Sequence, residues 1–196
     1  MPPLTQERKY MFKISTMQRA KDWCRKFGMG ASALFLLTVA GSIPAWATDN
    51  RAPDVPEDLV VEAGNKVHFH VYAEGYQIYK WSAATSAWVF QAPEAVLFDG
   101  DGGVVGLHYA GPTWESNSGS KVVGKRLKGV TVDADAIPWL LLEATSSEGP
   151  GIFARTSVVQ RVNTVGGMPP TEPGVTDGEE AAVPYTADYY FYREEH

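Results

Sequence analysis

Cysteine is almost missing from this chain: the one present, Cys24, falls within the first 47 residues. Beyond that point there is no disulfide, no thiol nucleophile and no thiolate ligand for zinc, so the remainder must hold together by burying a core. Long apolar runs are missing as well. The uncharged block 29–43, MGASALFLLTVAGSI, is shorter than the roughly 20 residues a membrane-spanning helix needs. Past residue 47 no window keeps apolar residues at i, i+3, i+4 and i+7 over three turns, which excludes long amphipathic helices. Bases are scarce there too, 10 against 21 acidic residues and a net charge of −11 with histidine neutral. Such a surface repels phosphate backbones and anionic lipid, and nucleic acid is excluded as a partner.

The start of the chain has the opposite character. Seven bases, from Arg8 to Lys26, stand against Glu7 and Asp22, and the uncharged block follows them. Pro44 then breaks the helix, and Ala45-Trp46-Ala47 places small residues at −3 and −1 of a cleavage site. This is the pattern of a secretory signal peptide over residues 1–47, read from a start at Met1, Met11 or Met17. Cleavage after Ala47 leaves a secreted or periplasmic product without a membrane segment: a flexible segment over 48–58, rich in Pro and Asp, and a single β domain over 59–196.

Strand signals fill that domain. Runs dense in Val, Ile, Tyr, Phe and Trp fall near 59–62, 66–73, 76–81, 87–91, 104–109, 121–123, 137–146, 152–162 and 185–192, with Gly, Asp, Asn and Pro between them. The fold class this implies is all-β, an antiparallel sandwich or partly open barrel of about eight to ten short strands. In IPWLLLEA, the residues Ile137, Trp139 and Leu141 share one face with Glu143. In YTADYYFY, the residues Tyr185, Ala187, Tyr189 and Phe191 share another. Segment 165–184 reads as a long, acidic, mobile Pro/Gly-rich loop.

The stretches FHVYAEGYQIYKW, WVFQAPEAVLFD, GLHYAGPTWE, GSKVVGK, IPWLLLEA, QRVNTVGG and VPYTADYYFY, in this order, resemble the DUF3455 family of exported bacterial and fungal proteins. The resemblance spans nearly the whole β domain and brings no established activity with it. It implies one departure. Many relatives carry a cysteine where Trp81 stands and another where this chain reads Glu172-Pro173-Gly174, a pair plausibly bonded in them. Here Trp81 is expected to replace that staple by packing.

Candidate site residues follow from chemistry gathered in few positions. HYAGPTWE sets an imidazole, a phenol, an indole and a carboxylate (His108, Tyr109, Trp114, Glu115) around Gly111-Pro112, which interrupts a strand. His70, Glu143 and Arg161 are the expected neighbours, and these seven are assigned as ligand-binding. His68, His70 and His108 show no ligand spacing, and no metal or cofactor is implied. Asp99-Gly100-Asp101-Gly102-Gly103 lacks the Glu of a calcium loop and the third glycine of a dinucleotide fingerprint, and reads as a hairpin turn. The basic cluster of Lys121, Lys125, Arg126 and Lys128 reads as a solvated strand edge. There is no G-x-S-x-G elbow. The reading is an exported binding or envelope-associated protein with a small-molecule or glycan ligand. The alternative is a glycan-directed hydrolase using Glu115 and Glu143, which requires the two carboxyls about 5 to 10 Å apart across one cavity.

The export reading is checked by N-terminal sequencing of the exported protein. It should begin at Thr48, and recovery of the intact chain from the cytosol would contradict it.

Overall fold

A computed structural model describes residues 51–195; the leader and its cleavage site lie outside the described residues. After a 3-10 turn at Glu57–Leu59 come eight strands: β1 (Asn65–Ser82), β2 (Ala87–Phe98), β3 (Val104–Tyr109), β4 (Thr113–Ser116), β5 (Lys121–Val130), β6 (Trp139–Glu148), β7 (Val158–Gly166) and β8 (Glu180–Glu194). Each pairs antiparallel with the next, and β8 returns to pair with β1, so one sheet closes into a ring. The fold is all-β, and no helix among the described residues is long and apolar enough to cross a membrane.

The sequence divides β1 at Glu74-Gly75, yet the strand runs straight through. Gly75 stays in the ladder between Ala95 and Tyr185. A Cβ there would come within 2.1 Å of the Glu94 carbonyl, so this glycine permits a close approach of backbones. Bulges between Val67 and Phe69 and between Ile78 and Tyr79 bend the strand around the ring.

Alternation along the strands creates one enclosed core, in which Val71, Leu97, Trp114, Val122, Leu142, Val159 and Phe191 face inward. Residues 152–157, read in sequence as the start of a strand, form a loop whose Phe153 is fully buried, edge-on to Phe69 and tilted against Phe191. Burying a side chain of this size contributes about 2–3 kcal/mol. The strand expected at 59–62 is also absent. Instead the 3-10 turn lies on the outside of the ring: Leu59 is fully buried, its carbonyl accepts from Gln160 Nε2 at 2.6 Å, and Asp58 pairs with Lys128.

The long loop is shorter than the sequence suggests, because Val165 and Gly166 belong to β7 and the chain rejoins the sheet at Glu180. Its remaining part is anchored. Trp88 Nε1 donates to the Glu172 carbonyl at 2.9 Å, the Gly178 amide donates to the Trp81 carbonyl at 2.9 Å, and the Ala83 amide donates to Asp177 at 2.9 Å. Trp81 packs edge-on to Trp88 and lies so close to Gly174 that a Cβ there would sit 2.5 Å from the indole. Packing thus stands where the family resemblance implies a cystine. Trp81→Ala, or Gly174→Val, is expected to accelerate proteolytic cutting within 167–179 several-fold while the melting temperature changes by only a few degrees. Unchanged cutting in both variants would show that the indole does not hold the loop.

Candidate functional site

HYAGPTWE forms a hairpin, with His108 and Tyr109 ending β3, the turn at Ala110-Gly111-Pro112, and Thr113, Trp114 and Glu115 on β4. The expected interruption by Gly111-Pro112 is the tip of this hairpin. Strand alternation then splits the motif. His108 and Trp114 are directly paired and point inward, each almost fully buried. Their rings stack 4.4 Å apart at 8°, and Tyr189 meets both edge-on, at 5.0 and 5.3 Å. His108 Nδ1 donates to the Thr113 carbonyl at 2.9 Å, which leaves Nε2 as the bare lone pair of a neutral ring. Burial drives its pKa down to about 3, with the Arg161 charge pushing the same way against the backbone bond.

Arg161 on β7 faces the same interior, paired with Leu140 on one side and Tyr189 on the other. Its Nε and Nη2 donate to the Pro138 carbonyl at 3.2 and 2.8 Å. Its charge is felt by His108, Tyr79, Tyr185 and Tyr189. Desolvation raises the phenol of Tyr185 well above its ordinary value and that of Tyr189 less strongly, so both hydroxyls keep their protons. Beyond Tyr185 the interior is capped by Gly167. A Cβ on Gly167 would press on Tyr185, Gln77 and Ile137, and its carbonyl accepts from Tyr79 at 2.7 Å.

Four buried polar atoms on this inner face have no hydrogen bond of good geometry, Gln77 Nε2, Trp114 Nε1, Tyr185 OH and Tyr189 OH. Gln77, Tyr185, Tyr189 and Arg161 nonetheless lie near enough to interact, each with the next, and the Trp114 indole has no such neighbour among the described residues. Gln77 and Tyr185 are absent from the residues assigned by sequence. The signal for them was parity: Tyr185 and Tyr189 share the face of Phe191, and Gln77 lies in step with Val71 and Ala73 on β1.

The other assigned residues lie outside the ring. Tyr109 OH donates to Glu115 Oε2 at 2.5 Å, and burial together with this carboxylate raises the Tyr109 phenol. Glu143 is held by Lys125 Nζ at 3.0 Å. Glu115 stands opposite Lys121 and Glu143 opposite Lys125, with β5 between them. At a rise of about 3.3 Å per residue that register alone sets them roughly 13 Å apart on a convex face. This does not meet the two-carboxyl geometry, and the hydrolase reading has no support in the fold. His70 forms a separate outer cluster, stacked 4.1 Å from Tyr190, with Nε2 3.8 Å from Asp188, which also accepts from Asn163 at 2.8 Å. Lys121, Lys125 and Lys128 each face a carboxylate, as a solvated edge would. The Asp99 loop is the hairpin turn expected, its carboxylate accepting from the Asp101 and Gly103 amides.

A shallow groove of about 860 Å³ opens beside β6 and the end of β8, lined by Lys66, Glu143, Arg155, Thr156 and Arg193 among others. Of the assigned residues it holds only Glu143. His68 Nε2 lies 3.2 Å from Thr156 Oγ1 near this groove, and burial followed by the charges of Arg193 and Arg155 brings its pKa to about 4. No group of three or more His, Cys, Asp or Glu residues able to hold a metal occurs among the described residues.

A family model described as a protein of unknown function, DUF3455, matches residues 62–193. No curated protein and no solved structure matches the chain.

The buried histidines set a pH dependence. Their folded pKa values lie below the ordinary value near 6.5, so on acidification the unfolded chain takes up protons first. Stability is therefore fully present above about pH 6.5 and declines as the pH falls toward the folded values, by at most about 1.4 kcal/mol per unit for His108. Chemical denaturation between pH 7 and 4 should show a shallower decline for His108→Gln than for the unaltered protein. Equal slopes would mean that His108 is not a buried neutral base.

Proposed function

We propose that this chain, which belongs to the DUF3455 family, is a binding protein that holds a small polar molecule inside its closed sheet and works after export. The observation that carries this reading is the set of four inward, buried polar atoms without a hydrogen bond of good geometry on Gln77, Trp114, Tyr185 and Tyr189. A buried polar group without a partner costs about 1–3 kcal/mol. Several such atoms together form a cost that is large beside the whole stability of a domain. Ordered water relieves such a cost where the site is polar, and a ligand does so by displacing that water.

Small residues line the inner face where β1 meets β2 and β8: Ala73 is paired with Ala187, and Gly75 with Ala95 and Tyr185. One face of the Trp114 indole is already covered by His108, and recognition therefore falls to the hydroxyls, the amide and the indole N–H. Groups of this kind, few and convergent in an otherwise apolar shell, are what fix the orientation of a small ligand.

Tyr185→Phe and Tyr189→Phe each delete one hydroxyl and nothing else. A thermal-shift screen of small polar molecules on the unaltered protein should find a ligand, which at 100 times its Kd stabilises by about 2.7 kcal/mol. Each variant should then bind that ligand about tenfold more weakly, while its own unliganded stability is equal or higher. A loss of more than 2 kcal/mol in the unliganded variants would instead mark the hydroxyls as structural bonds, and the proposal would fall.

A further inference from the structure

We infer that the molecule held inside the ring is a small monoanion, a carboxylate by preference, and that Arg161 supplies its counter-charge. The inference rests on the binding role proposed above and adds the sign and chemical class of the ligand. Its basis is a missing partner. Arg161 is only partly exposed, points into the ring, and forms no ion pair with any described residue; the groups it reaches are neutral, the carbonyl of Pro138 and the phenol of Tyr189. A charge removed from water without an opposite charge is expensive, which is why guanidinium groups in such positions sit against carboxylates or phosphates.

The interior offers no such group. On the strands around it Glu74, Glu94, Glu115, Glu143 and Asp188 all occupy outward positions, opposite in parity to Ala73, Ala95, Trp114, Leu142 and Tyr189. His108 is neutral, with its single ring proton committed to the Thr113 carbonyl, and adds no second charge. Arg126, paired with Leu142, also stands at an inward position of β5 but is exposed to solvent, so Arg161 is the inward positive charge that the fold partly withdraws from water.

The four buried atoms agree with this sign. The indole Nε1 of Trp114 and the amide Nε2 of Gln77 can only donate, and the hydroxyls of Tyr185 and Tyr189 keep their protons while also reaching each other, Gln77 and Arg161. A donor-rich cluster of this kind beside a guanidinium suits a ligand rich in acceptor oxygens. A carboxylate has two in a plane, matching the fork of a guanidinium whose remaining N–H groups are free of Pro138. Charge-assisted bonds of this kind are about twice as strong as neutral ones, so the acid form should be selected over a neutral analogue of the same shape.

The test uses such pairs on the purified protein at pH 7 and constant ionic strength: acetate with acetamide, and benzoate with benzamide, read by melting temperature and by titration calorimetry. The expected result is stabilisation by at least one acid and at least tenfold weaker binding of its amide. Tyr189→Phe should weaken binding of that acid about tenfold. Arg161→Met should abolish the difference between acid and amide, and Arg161→Lys should retain part of it. Should Arg161→Met fail to fold, the acid and amide pairs on the unaltered protein together with Arg161→Lys decide the matter. Equal binding of acid and amide, sensitive to Tyr189→Phe but not to Arg161→Lys, would overturn the anion while leaving the interior binding role intact. No response to any probe would overturn the anion, and if unliganded Tyr185→Phe and Tyr189→Phe are also markedly less stable than the parent, the interior binding role falls with it.

Discussion

The hydrogen-bonded seam between β1 and β8, running from Asn65 opposite Glu194 to Lys80 opposite Glu180, is the constraint on which the rest of the molecule depends. It removes the open edges that an antiparallel sheet otherwise exposes to other chains. It also gives every strand residue one of two addresses, inside the ring or outside it. Trp114, Tyr189, Phe191 and Phe153 fill the inside because the seam encloses them. For the same reason a polar atom placed there is cut off from bulk water and must find its partner in the protein, in trapped water or in a guest.

Much of this was legible before any coordinates. Val, Ile, Tyr and Phe runs marked nearly every strand, and the parity of YTADYYFY correctly separated Tyr189 and Phe191 from Tyr190 and Tyr192. The family resemblance was likewise confirmed. The misses share one cause, which is that linear proximity differs from proximity in a pleated sheet. HYAGPTWE looked like one cluster, yet the pleat sends His108 and Trp114 inward and Tyr109 and Glu115 outward. Arg161 and Glu143, assigned together, stand on opposite sides of the sheet, and the partner of Glu143 is Lys125. β4, only four residues long, fell below what a strand pattern can announce. The 3-10 turn at Glu57–Leu59 gave no signal either, because its role depends on Gln160, a contact made across more than half the chain.

Charge is segregated as sharply as hydrophobicity. Carboxylates occupy the exterior, where Lys66, Lys80, Lys121, Lys125 and Lys128 partly offset them. Such pairs contribute little to stability individually, about 0–1 kcal/mol, but they leave the acidic surface locally balanced. On the function proposed above, an anion approaching from solution would meet a repelling exterior that salt screens beyond about 8 Å and an attracting interior that salt reaches poorly. Discrimination between ligands would then be made inside, by fixed donors in a medium of low polarity, while the exterior governed the rate of arrival.

The contact of Trp81 with Gly174 has a further consequence, best expressed as a population. A cystine at this point would keep the 167–179 segment attached in every molecule until a reductant opened it. An indole resting on a glycine is a reversible contact. A difference of a few kcal/mol between its closed and open forms leaves roughly 0.1–10 % of molecules open at any moment. Its equilibrium responds to temperature and to denaturant, and is indifferent to the redox state of the compartment in which the protein finds itself.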